Sequence, residues 1–291
     1  MSEALDPEPA LMTLPADDHV HTEFSWDADD GSMERTCARA VELGLPSVAF
    51  TEHVDQTRWH IPPELVPHAG KLGEMIAEDG RFDPPPMDVD GYLATVERCR
   101  AHYPSLRILT GVELGEPHWF PEQSGRLLAS GDFDRVLGSQ HSVVIGDAPW
   151  ITDLAGGWGG LGPYPLVRTH LEETLRLVES DAPFEVLAHV DYAARAWPPD
   201  AAPFDPGEVE EELRTVLRAL AASDRALEVN TRRPLDEVIV RWWHEEGGQR
   251  VTFGSDAHRP GDLANGFVDA SAMVEAQGFR PGRHPNDPWR R

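Results

Sequence analysis

The chain has 291 residues, with 51 acidic against 25 basic side chains and a formal net charge of −26. That length holds one large domain or two modest ones, and 40% apolar residues suffice for a sizeable core. Two cysteines, Cys37 and Cys99, exclude a disulfide scaffold and a cysteine-built zinc site. The acidity argues against binding of duplex nucleic acid, but a phosphorylated small molecule stays open because bound cations reverse the local field. No apolar run reaches the roughly 18 residues of a membrane span. The acidic start MSEALDPEPALMTLPADD lacks the order of a signal peptide, so a cytoplasmic protein is expected.

Short β-branched runs alternate with longer helical patterns, as in βα units. The expected strands are 17–21, 47–51, 107–112, 135–139, 185–188, 226–229 and 250–254. Helical patterns lie between them at 32–43, 91–102, 166–180, 206–223 and 234–246, and a last one spans about 262–277. Ser32 suits the N-cap of the first helix and Gly44 its end, while Cys37 and Cys99 read as core thiols. Two segments, 56–90 and 146–165, exceed a minimal barrel and are expected to project from one face as loops. The second holds Gly157-Trp158-Gly159-Gly160-Leu161-Gly162, formally a dinucleotide fingerprint. It is discounted, because no strand leads into it and Pro163 and Pro165 stand where a helix would begin. The tail from Arg280 is expected to be irregular, and the whole chain reads as one domain, 1–291.

Every expected strand delivers His, Asp, Glu or Asn at its carboxyl end. These are His19-Val20-His21, Thr51-Glu52-His53, Gly111-Val112-Glu113, Ser139-Gln140-His141, His189-Val190-Asp191, Glu228-Val229-Asn230 and Ser255-Asp256-Ala257-His258. In a parallel barrel those ends meet at one mouth. His-x-His on a strand puts both imidazoles on one face, since side chains alternate. Imidazoles with carboxylates suit zinc, manganese or iron, and the lack of thiolates disfavours a structural zinc.

The order of these motifs, with Ser25-Trp26-Asp27 after the first, resembles the PHP superfamily, named for polymerase and histidinol phosphatase. The resemblance runs from about Asp17 to Gly278. It implies an α/β fold, a distorted seven-stranded (β/α)7 TIM-like barrel, with a centre of three divalent metal ions. One ion would take His19, His21, Glu113 and Asp256, and a second would share Glu113 with His141 and His189. The third would take Asp27, His53 and His258. Amidohydrolases share a metal-rich barrel, but the lysine bridge common there has no match, since the one lysine, Lys71, lies in an insertion.

Such a centre implies in-line attack of a metal-bridging hydroxide on a phosphomonoester, with Asp27, Glu113, Asp256 and His258 as the catalytic set and the carboxylates positioning the ions. Arg195 is the first candidate for the phosphate oxygens; Arg168 and the pair Arg232-Arg233 follow. Asp191, Glu52 and Asn230 are candidates to orient ligating imidazoles. Phe133-Asp134-Arg135-Val136-Leu137-Gly138-Ser139-Gln140-His141 and Leu227-Glu228-Val229-Asn230-Thr231 are similar to the histidinol-phosphate phosphatase branch. Gln140 and Arg232-Arg233 depart from its pattern. For an amino-alcohol phosphate, Glu116, Asp153 or Asp191 would pair the ammonium. Two other readings remain. A phosphoesterase of nucleotides or short RNA ends would stack bases on Trp119, Trp150, Trp158 or Trp197, and a regulatory module would bind metal without turnover.

Overall fold

A computed structural model describes residues 14–68, 72–146, 148–152 and 161–291. The chain starts with β1 (Asp17–Val20), α1 (Met33–Leu43) and β2 (Ser47–Asp55). In α1 the Ser32 side chain accepts from Arg35 N–H, and Gly44 ends the helix at φ 69°, a left-handed conformation that glycine tolerates. Met33, Cys37 and Ala40 recur at helical spacing and bury one stripe. A small antiparallel pair, β3 (Trp59–His60) and β4 (Arg81–Phe82), flanks the one-turn α2 (Leu72–Met75). Next come α3 (Val89–His102), β5 (Arg107–Gly115), α4 (Pro121–Leu128) and β6 (Arg135–Ser139). A hairpin of β7 (Ser142–Ile145) and β8 (Ala148–Ile151) precedes α5 (Pro163–Glu179) and β9 (Val186–Leu187). The chain closes with α6 (Glu210–Ala222), β10 (Ala226–Asn230), α7 (Glu237–Glu245), β11 (Arg250–Gly254), α8 (Phe267–Ala276) and β12 (Trp289–Arg290).

The main sheet has eight strands in the order β1-β2-β5-β6-β9-β10-β11-β12. Seven are parallel, and β12 joins β11 antiparallel. The sheet curls until its first strand reaches β11: His21 N–H donates to Ala257 O at 2.9 Å and Asp256 N–H to His19 O at 2.8 Å. The buried Asp17 carboxylate holds the same junction, accepting from Ser255 N–H and Ala264 N–H, both at 3.0 Å. Helices α1 and α3 pack on β2 and β5 around Phe50, Tyr92 and Ile108, with both cysteines buried among them. The larger core lies under α5 to α8, around Leu217, Trp243, Phe253 and Phe267.

Several expectations need correction. β2 and β5 run on to Asp55 and Gly115, whereas β1 stops one residue short of His21 and β9 shrinks to two residues. The tail is not wholly irregular, because Trp289 packs edge-on against Phe253 at 4.9 Å and β12 forms there. A helix does begin at Pro163, capped by Gly162, since proline at the first helical position lacks only an N–H that would have no partner anyway. β8 ends upstream of the glycine run, but Gly157 to Gly160 lie outside the described residues. The two insertions are more than loops. The first carries the β3–β4 pair and the second carries β8, which pairs with β7 just before it; Trp59, Ile61, Leu65, Phe82 and Ile151 form one apolar cluster. Trp59 stacks on Phe82 at 5.6 Å, and its indole donates to Ser142 Oγ at 2.9 Å, tying the first insertion to β7.

Candidate metal centre

The carboxyl ends of the parallel strands bring nine side chains of metal-ligating type to one place. Glu113, fully buried, stands in the middle. Its Oε1 lies 2.7 Å from His189 Nε2 and 3.1 Å from His141 Nε2. Its Oε2 lies 3.0 Å from His53 Nδ1, 3.2 Å from His19 Nε2 and 3.4 Å from His21 Nε2. Asp256 Oδ1 is 3.4 Å from His21 Nε2, and Asp27 Oδ2 is 3.0 Å from His258 Nε2 and 3.5 Å from His53 Nε2. Four overlapping triads result, each with ligand atoms within 4.8 Å of one another: His21-His53-His258, His19-His21-Asp256, His19-Glu113-His189 and His53-Glu113-His141. All nine expected ligands are therefore together. The grouping differs from the expected one, for His53 approaches Glu113 and His141 as well as Asp27 and His258, His21 falls with His53 and His258, and His19 falls with Glu113 and His189.

The donors fit divalent cations on their own chemistry. Six imidazoles and three carboxylates crowd a buried space, while Glu113 Oε2, Asp27 Oδ1, His53 Nδ1 and His189 Nδ1 are buried without hydrogen-bond partners. Burial alone would raise the Glu113 carboxyl, but the facing His19, His141 and His53 imidazoles hold it well below the usual range. Burial and the neighbouring His53 and His258 rings push His21 well below its ordinary value, whereas facing carboxylates outweigh burial and hold His19, His53 and His141 well above theirs. His189 and Asp256 have φ of 23° and 52°, left-handed backbone that costs non-glycine residues about 1–3 kcal/mol. The fold imposes that strain at two ligand positions.

Around this set lies a layer that fixes ring orientation. Glu228 Oε1 faces His19 Nδ1 at 2.6 Å, and its Oε2 accepts from His189 N–H at 2.7 Å and Asn230 Nδ2 at 3.2 Å. Asp55 Oδ1 faces His141 Nδ1 at 2.9 Å, while Oδ2 accepts from the Trp26 indole at 2.9 Å. Ser25 Oγ lies 2.9 Å from His21 Nδ1, accepts from His53 N–H at 3.0 Å and donates to Glu52 Oε2 at 2.6 Å. With Nδ1–H committed in His19, His21 and His141, Nε2 is the nitrogen free to bind a cation. Glu52 thus takes the orienting place expected for it. Glu228 and Asp55 were missed, although Asp55 falls two residues after His53 on the same strand face and Glu228 two before Asn230.

A mouth of about 400 Å³ opens over the centre, lined by Asp27, His53 and His258 on one side and Tyr192, Arg195 and Arg232 on another. Arg195 donates to Asp256 Oδ2 at 2.5 Å and lies over the Tyr192 ring at 4.6 Å. Arg232 approaches the other oxygen, Oδ1, at 3.3 Å and stands 2.7 Å from His258 Nδ1. Arg168 is a correction. It sits on α5 and turns to Glu212 at 2.6 Å and the Glu208 carbonyl, because the outer face of α5 packs on α6. Glu116 is also no ammonium partner, since its buried carboxylate accepts from His141 N–H, Ser142 N–H and Thr57 Oγ1. Asp191 is buried beneath the rim, and Asp153 lies outside the described residues. Among the expected base platforms, Trp197 packs on Tyr164 and Phe204 and Trp150 on the insertion cluster; Trp158 lies outside the described residues.

A curled, mostly parallel α/β sheet thus gathers histidines and carboxylates that could hold metal ions at the carboxyl ends of its strands. The PHP domain model matches residues 17–232, and the chain belongs to that family. A histidinol-phosphatase of Lactococcus lactis is 26% identical over 254 residues, covering 83% of each chain. A probable histidinol-phosphatase of Deinococcus radiodurans is 27% identical over 289 residues, 92% of this chain and 96% of that one. The crystal structure of the L. lactis histidinol phosphate phosphatase, complexed with zinc, L-histidinol and phosphate, superposes with a TM-score of 0.74. That match is 24% identical and covers 92% of this chain and 95% of the other.

Proposed function

We propose that this chain is a metal-dependent phosphomonoesterase that hydrolyses histidinol phosphate to histidinol and phosphate. The observation that carries the reading is the convergence of five imidazoles on Glu113, with His258, Asp27 and Asp256 beside them, beneath an arginine-rimmed mouth. The names of the relatives, which span nearly the same length, supply the substrate. His19, His21, Glu113 and Asp256, then His141 and His189 with Glu113, then Asp27, His53 and His258 would hold three divalent ions, zinc, manganese or iron. Such ions lower the pKa of water and neutralise phosphoryl oxygens as charge moves to the leaving group.

The chain's own residues do the rest. Asp27, Glu113 and Asp256 position the ions, and Glu228, Asp55 and Ser25 keep the imidazoles in register. Arg195 and Arg232, both already turned toward Asp256, offer guanidinium forks to the non-bridging oxygens; His258 stands beside them at the rim. In the balanced reaction the P–O ester bond breaks, the water oxygen joins phosphorus, and one water proton ends on the histidinol hydroxyl. The architecture supports a reading of the seven parallel strands as a distorted (β/α)7 barrel in a single domain, 1–291. On this reading the substrate is small, and the protein is cytoplasmic with no duplex nucleic acid or membrane partner. No helix among the described residues is long and apolar enough to cross a membrane.

The test is phosphate release from a panel holding L-histidinol phosphate, nucleoside monophosphates and a short 5′-phosphorylated RNA, with His19→Ala as control. Selective turnover of L-histidinol phosphate is expected. Preference for nucleotides or RNA would overturn the substrate, and bound metal with no hydrolysis would overturn the enzyme.

A further inference from the structure

The end of the sheet opposite the metal centre carries a second concentration of charge. β5 and β6 begin with Arg107 and Arg135, β11 begins with Arg250, and Arg225 immediately precedes β10. All four line one cavity of about 510 Å³, larger than the mouth. In a chain with twice as many acids as bases, such clustering runs against composition.

What matters is which of these guanidiniums lack an acceptor. Arg135 is satisfied: it is buried, donates to Asp18 Oδ1 at 3.1 and 3.2 Å and lies 3.5 Å from Glu185. Arg225 is held without a carboxylate. It donates to the carbonyls of Val178, Ser180 and Ala182 and lies 3.8 Å over the Phe184 ring, so it is fixed in place, and Asp181 acts on its charge without a hydrogen bond. Arg250 reaches only the exposed Asp224, at 3.4 Å, and its Nε is buried with no partner. The Arg107 side chain has no hydrogen bond or ion pair with any described residue. The other acids of the lining are engaged elsewhere. Asp134 accepts from Thr110 N–H at 3.0 Å and Arg100 at 3.2 Å, and Asp287 accepts from His284 N–H at 3.0 Å. Four carboxylates line the cavity beside the four arginines, yet the Arg107 fork is not met by them and Arg250 Nε is buried without a partner, where such donors are normally paired.

We propose that this cavity is a second binding site, for a small oxyanion, a phosphate or carboxylate group held between Arg107, Arg225 and Arg250. The site lies at the amino-terminal ends of the strands, apart from the chemistry, and does not depend on the identity of the substrate.

Calorimetric titration of the metal-loaded full chain tests it, with methylphosphonate as the phosphate-like probe and succinate as the carboxylate. One of the two probes is expected to bind at a site that survives His19→Ala. Arg107→Glu, at an exposed position, is expected to weaken that binding by about tenfold or more while leaving phosphatase turnover unchanged. Arg107→Ala provides a milder second variant with the same direction. The probe that responds identifies the source of the oxyanion. Binding of neither probe, binding left unaltered in both Arg107→Glu and Arg107→Ala, or binding abolished in His19→Ala would overturn the proposal.

Discussion

Replacing Glu228 with glutamine tests whether the layer behind the ligands controls the metal centre. Glu228 is buried, and its two oxygens serve three donors: His19 Nδ1 at 2.6 Å, His189 N–H at 2.7 Å and Asn230 Nδ2 at 3.2 Å. Glutamine keeps the shape but turns one acceptor into an NH2 group. If its oxygen stays with His19, the His189 amide faces a donor at the residue whose φ is already 23°. If it turns to His189, His19 loses the partner that fixes its tautomer. Either way one buried donor goes unpaired, at about 1–3 kcal/mol. Loss of such partners typically lowers metal affinity 10–100-fold, about 1.4–2.7 kcal/mol. Competition with a chromophoric chelator measures the affinity directly, beside thermal unfolding of the metal-free protein. Wild-type affinity and unchanged unfolding in Glu228→Gln would refute the reasoning.

Three other expectations follow from the same geometry. Arg195→Ala should lower kcat/KM for the phosphoester by about 10–100-fold, as for a lost charge-assisted contact, whereas Arg168→Ala should change it less than about twofold. Equal effects in steady-state assays would show that the mouth has been assigned to the wrong arginine. Trp289→Ala removes the ring that packs on Phe253 at 4.9 Å and should destabilise the chain by about 3 kcal/mol, read from denaturant unfolding. His170 is held down to about 4 by burial, so its unfolded form takes a proton first as pH falls. Its contribution is present above about pH 6.5 and is lost on acidification towards pH 4, on the order of 3 kcal/mol. His170→Gln should flatten that part of the stability profile relative to wild type, and parallel profiles would contradict it.

The cluster of candidate ligands was legible in the sequence because strand alternation and βα order impose a pattern on such residues. His19-x-His21 must share a face, and a His or carboxylate at each strand end must reach one rim. What lay hidden depends on tertiary contacts. β3 and β4 are two residues each, too short to register as strands, and exist because Trp59 stacks on Phe82 and reaches Ser142 on β7. β12 likewise forms through Trp289 against Phe253, inside a proline-rich tail. Arg168 looked like a rim residue by its place after the second insertion, but a helix starting at Pro163 turns it to Glu212. The arginines that open β5 and β11 lay in no motif, and Arg135 lay in one read for its histidine, since their shared place appears only when the strand starts are seen side by side.

The most direct test of the central claim is a metal titration followed by phosphate release. Chelator-stripped protein would receive zinc or manganese stepwise, with L-histidinol phosphate present and bound metal counted at each step. The account predicts no turnover in the stripped chain and a rate that rises to a plateau as the His–carboxylate triads around Glu113 fill. Full turnover without metal, or a filled centre that releases no phosphate, would contradict it.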